Sequence, residues 1–146
     1  MPAKRSLHDR DFYAWSIEQA ALLREGRVAE ADLAAIAEEI ESMGKAEKRE
    51  LISRLTVLLL HLLKWERQPQ GRGNSWRLSI VDARDEIADL LGDNPSLTAV
   101  IDGVTASSDR YARRKAAIET DMGEEAFPPQ CPWSFSEAVD AGFWPE

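Results

Sequence analysis

One histidine stands inside the most apolar run of the chain, and it is the first place to look for chemistry. His61 interrupts the run from Val57 to Leu63. Its imidazole titrates near neutral pH and can move protons or ligate a metal. Spaced at helical intervals before it, Glu47, Glu50 and Arg54 share one narrow polar strip with it. Two more carboxylates, Glu38 and Glu41, lie upstream, and two arginines, Arg77 and Arg84, lie downstream. Paired carboxylates in unlike environments do acid/base work. Glutamates facing arginines also form ion pairs that fix helix register at modest net stability. One histidine with carboxylates is compatible with iron or manganese, but the Glu-x-x-His pairs of di-iron bundles are absent. No metal site and no cofactor are therefore expected. The single cysteine, Cys131, lies among prolines with no histidine close in sequence to activate it. It has no internal disulfide partner.

The spacing of Arg54 and His61 resembles the arginine–histidine motif of the helical HEPN ribonucleases. The resemblance implies an arginine that stabilises phosphate charge and a histidine that acts on the ribose hydroxyl. Leu55 follows the arginine where that motif carries a polar residue, and an apolar helix encloses the pair. An enzyme centred on His61, as a HEPN-like ribonuclease or a metal-dependent hydrolase, is the alternative expectation. Trp133 and Trp144, with Phe143, offer a different function. Aromatic side chains dominate interface hot spots, and these would either anchor a partner or clamp the tail onto its own helices.

The elements that must position these residues read as helices throughout. Asp9 or Asp11 caps a first helix with a wide apolar face from Phe12 to Leu23, ended by Gly26. A second begins near Glu30 with the stripe Leu33, Ile36, Ala37, Ile40 and Met43. Gly44 is expected to break or kink it, because glycine costs about 1 kcal/mol against alanine in a helix interior. The third, from Lys45 to Arg67, is apolar nearly all round, with Leu51, Leu55, Leu58, Leu62 and Trp65 on its main face. Asn74 or Ser75 caps a fourth, whose face is Trp76, Ile80, Ala83, Ile87, Leu90 and Leu91. Asn94-Pro95 opens a fifth, with the stripe Leu97, Val100, Ile101, Val104, Tyr111 and Ile118, Ser108 filling one step. Phe127 to Trp133 is extended by its prolines. Ser134 and Glu137 form a capping box for a short last helix. The closing residues, Phe143 to Glu146, are apolar enough to pack across the helices. The expected fold is all-α: a flexible arm over residues 1–8, then one domain, a bundle of about five helices with a short C-terminal helix and a Pro-rich tail.

Charge is uneven along the chain. The total is -8. Residues 1–44 hold 5 Lys/Arg against 9 Asp/Glu, residues 45–84 hold 9 against 4, and residues 85–146 hold 4 against 13. An acidic total disfavours general nucleic-acid binding, which draws its affinity from neutralising phosphates. The basic middle is expected to meet the acidic remainder of its own chain. No apolar run reaches the roughly 18 residues of a membrane span, and the N-terminal residues carry no apolar signal core. A cytoplasmic protein without membrane contact is expected.

Several motifs in order resemble one family. Asp11-Phe12-Tyr13-Ala14-Trp15, Glu38-Glu39-Ile40-Glu41-Ser42-Met43-Gly44, His61-Leu62-Leu63-Lys64-Trp65, Ser75-Trp76-Arg77, Phe127-Pro128 and Cys131-Pro132 are similar to the bacterial family catalogued as domain of unknown function number twenty-nine. The resemblance implies an all-α bacterial domain and brings no substrate with it. The function expected is a non-catalytic protein–protein interaction or regulatory module, its partner another protein or a second copy.

Overall fold

The main-chain carbonyls at the end of the first long helix show how closely local sequence sets this fold. In the computed structural model, which describes residues 6–146, helix α1 (Leu7–Arg10) leads directly into α2 (Phe12–Arg24). The Asp11 carboxylate caps α2 by accepting from the Ala14 N–H at 3.0 Å. At the other end Gly26 takes φ +73°. Its N–H reaches the Leu23 carbonyl, and the Arg27 N–H reaches that of Leu22. This is the paired closure that a left-handed glycine permits.

A single helix, α3 (Leu33–Arg67), then runs for 35 residues. The break expected at Gly44 does not occur, and the second and third helices of the sequence reading are one. Gly44 keeps helical geometry because its neighbours Met43, Lys45 and Ala46 all propagate a helix, and one glycine costs less than ending it. The described chain divides into two compact units after Lys45.

In the unit ending at Lys45, α2 buries only Trp15, Gln19 and Leu22. The wide apolar face expected of α2 is therefore not core: Phe12 is 50%, Tyr13 77% and Ile17 57% exposed. The stripe on the first part of α3 is likewise open, with Leu33 50%, Ile40 63% and Met43 69% exposed. Two polar contacts hold this unit together. Gln19 accepts the Asp32 N–H at 2.7 Å, and His8 Nε2 lies 2.6 Å from Glu39 Oε1. Residues 1–5 of the expected N-terminal arm lie outside the described residues, whereas Leu7 and His8 belong to α1.

The unit Ala46–Glu146 holds the main core. Leu51, Leu55, Leu58, Leu59, Leu62 and Leu63 of α3 are fully buried, each contributing about 1.5–3 kcal/mol of transfer free energy. Against them come Ile80, Ala83 and Ile87 of α4 (Asn74–Asp93) and Val104, Ala112 and Ala116 of α5 (Ile101–Thr120). Asn74 is the first residue of α4 rather than its cap. Pro95 opens a 3-10 turn, Pro95–Val100, that precedes α5.

The buried line on α5 differs from the expected stripe. Ile118 is 74% and Tyr111 41% exposed, while Ser108, a step of that stripe, is sealed together with Ala112 and Ala116, which lie outside it. Small side chains admit the neighbouring backbone, and Ser108 Oγ donates to the Ile52 carbonyl at 3.1 Å. Lys64–Glu119 at 3.1 Å and Arg54–Glu86 at 3.0 Å join the basic stretch to the acidic one that follows it. The capping box forms as expected, Ser134 and Glu137 each satisfying the other's N–H at 3.1 Å at the start of α6 (Phe135–Val139). Helix is the only regular secondary structure among the described residues.

Candidate functional site

The strip around His61 is built from side chains that already have partners. Arg54 donates to Glu50 at 2.7 Å and pairs with Glu86 of α4 at 3.0 Å. His61 is half-buried, and its Nδ1 donates to the Val57 carbonyl at 2.8 Å. Burial pushes the imidazole below its ordinary pKa, and the nearby Lys64 cation adds to this; the carbonyl contact and Glu119 oppose it. His61 is therefore neutral at pH 7, with Nε2 unprotonated. It makes no hydrogen bond to a glutamate among the described residues. Glu47 is exposed, its carboxylate 3.5 Å from the Asn94 amide. Glu38 and Glu41 are exposed and belong to the other unit. Among the described residues no three His, Cys, Asp or Glu side chains gather as a metal site would require.

Arg77, Arg84, Trp133 and Trp144 lie where the C-terminal tail crosses α4. Arg84 is buried and donates to three carbonyls, those of Ala138 at 2.9 Å, Ala141 at 3.5 Å and Phe143 at 2.6 Å. Trp144 packs on Trp65 with ring centroids 4.8 Å apart. The guanidinium groups of Arg77 and Arg84 lie 5.7 and 5.3 Å from the Trp144 ring, an arrangement each cation–π contact favours by about 0.5–2 kcal/mol. Trp133 is buried against Phe143, with centroids 6.0 Å apart.

A groove of about 530 Å³ opens between α5 and residues 129–135. Its helical wall is Asp102, Thr105, Ala106, Asp109, Arg110 and Arg113, and its other wall includes Pro129, Cys131, Trp133 and Phe135. Arg113 holds the walls together by donating to the carbonyls of Pro128 and Pro129. Beside it the Asp109 carboxylate is buried, 3.7 Å from Arg113. Burial pushes this carboxyl above its ordinary value, against the opposing pull of Arg113 and of the Cys131 thiol that hydrogen-bonds it. Burial likewise pushes the Cys131 thiol up, which keeps it protonated and unreactive.

A family model described as domain of unknown function DUF29 matches residues 7–144. The chain belongs to that family. No curated protein and no solved structure matches it. Of the residues singled out by sequence in this DUF29 chain, Glu50 and Arg54 are in direct contact, and Arg77 and Arg84 meet on Trp144. The groove residues Thr105, Asp109 and Arg113 escaped sequence reasoning, as did His8 with its Glu39 partner. The available signal was an acid and a base four apart, Asp109 and Arg113, ahead of a proline-rich segment that needs something to hold it.

Proposed function

We propose that this DUF29 protein is a non-catalytic interaction module whose partner, another protein or a second copy, docks on the first part of α3. The observation that carries this is the open stripe of Leu33, Ile40 and Met43, three large apolar side chains at helical spacing with half or more of their surface in water. Single exposed apolar residues are ordinary, but a row of them along one helix marks a surface that another helix covers. The alternative centre on His61 and Arg54 gains little support. His61 Nδ1 is bonded to its own helix backbone, and Arg54 is paired with Glu50 and Glu86.

Sedimentation velocity over a hundredfold concentration range tests this with the double variant Ile40→Glu and Met43→Glu. Because both positions are exposed, the variant keeps its stability to within about 0.5 kcal/mol. It loses whatever association the wild type shows. A wild type that stays monomeric, together with a photo-crosslinking residue at position 43 that captures no protein in cells, overturns the proposal.

A further inference from the structure

We propose that the groove between α5 and residues 129–135 binds a small organic cation, its ammonium or guanidinium group on the Asp109 carboxylate and its apolar part against Trp133 and Phe135. The volume of about 530 Å³ lies within the range of small-molecule sites. The Asp109 side chain lines that space with only 8% of its surface exposed. An ionised carboxylate accepts about four hydrogen bonds, and a buried one left short of partners costs stability. Asp109 has a thiol, a weak donor, and a guanidinium that at 3.7 Å is beyond hydrogen-bond distance. That guanidinium cannot turn to serve it better, because the carbonyls of Pro128 and Pro129 hold it. The carboxylate thus has acceptor capacity left over beside open space.

The remaining groups favour a cation over an anion. Arg110, the other basic side chain on the wall, lies over its own Tyr111 ring at 5.1 Å. Asp102 adds a second negative charge on the same helical face, two turns from Asp109. Thr105 Oγ is the one buried side-chain nitrogen or oxygen without a hydrogen-bond partner among the described residues, and Thr105 belongs to this wall. Aromatic faces attract cations as well as apolar surface. Burial pushes the Asp109 carboxyl up more than the Arg113 cation and the thiol pull it down, which agrees with a carboxylate short of close donors.

The probes are n-butylammonium and agmatine, followed by amide and indole NMR shifts of the full chain, with n-butyrate as the control of opposite charge. The expected result is saturable shifts confined to α5 and residues 129–135 with both cations and none with butyrate. Asp109→Asn weakens binding about tenfold or more, as the loss of a charged hydrogen bond does. Its melting temperature stays level or rises, because the amide is less costly to bury than the carboxylate. Ala106→Trp fills the groove from an exposed position and blocks both probes, independently of how Asp109→Asn folds. A free amine and a basic side chain of a partner share this chemistry. An N-acetyl-lysine methylamide that binds as well as butylammonium assigns the site to a side chain, and its exclusion assigns the site to a free amine. Failure of both cations to saturate by about 10 mM, equal binding of butyrate, or unweakened binding by Asp109→Asn overturns the proposal.

Discussion

Two histidines in this chain titrate in opposite senses, and each reports on its own surroundings. His8 Nε2 donates to the Glu39 carboxylate at 2.6 Å, and the ring stands edge-on to Trp15 at 4.5 Å. The Glu39 hydrogen bond leads in raising its pKa above 6.5. The folded form therefore holds its proton longer than the unfolded chain does. The stabilisation is complete below pH 6.5 and is lost as pH rises through the folded value. His61 is the reverse case. Its folded pKa lies below 6.5, so the unfolded chain takes up a proton first and stability is lost as pH falls from 6.5 through the folded value. Denaturant unfolding across pH 5 to 8 is expected to show both slopes. His61→Gln removes the loss on the acid side, and Glu39→Gln removes the loss on the alkaline side. A profile that neither variant changes would contradict both assignments.

At the scale of elements, α3 decides how much of the fold could be read from sequence. Its second half was legible because Leu51, Leu55, Leu58, Leu62 and Trp65 recur at the helical period and are all buried. The same period gives the stripe with Leu33, Ile40 and Met43, but periodicity reports amphipathicity and cannot tell whether anything covers the face, and here nothing among the described residues does. Gly44 misled for a related reason. Its helix cost is a local quantity, and helix propagation from both sides outweighs it. Since a Cβ at Gly44 would meet nothing within 4 Å, Gly44→Ala is expected to raise stability by about 0.5–1 kcal/mol, measured by urea unfolding of the full chain. A glycine needed for a bend would give the opposite sign. On α5 the error was of another kind. Tyr111 and Ile118 carry more apolar surface than Ala112 and Ala116, yet the smaller pair is sealed because short side chains let neighbouring helices approach. Capping signals fared better at Asp11 and Ser134, where the chemistry lies within four residues of chain.

Across the whole molecule the least legible features are those made by distant residues. Asp109 and Cys131 are far apart in sequence, and neither carries a motif that names the other. One wall of the groove they share is tied to α5 by Arg113, which donates to the carbonyls of Pro128 and Pro129. The tail closure was half legible. Its aromatic content predicts packing, and Trp144 does pack on Trp65, but no spacing rule singles out Arg84 as its anchor. Arg84→Ala leaves three carbonyls without their donor and is expected to cost about 2–3 kcal/mol. Arg84→Lys recovers little of this, because one ammonium cannot span the three acceptors that a guanidinium fork reaches. Chemical denaturation of the two variants checks both, and a lysine variant as stable as wild type would show that charge alone matters.

Residues 41–50 of α3 are helical, and every one of them is exposed. A helix of that length is marginal in water without packing, so this stretch depends on the ordered residues at its two ends. It is expected to be the first part of the longest helix to open. Its backbone hydrogens should exchange through brief local openings long before those near Leu58, and thermal fluctuation is spent there while the leucine core stays closed.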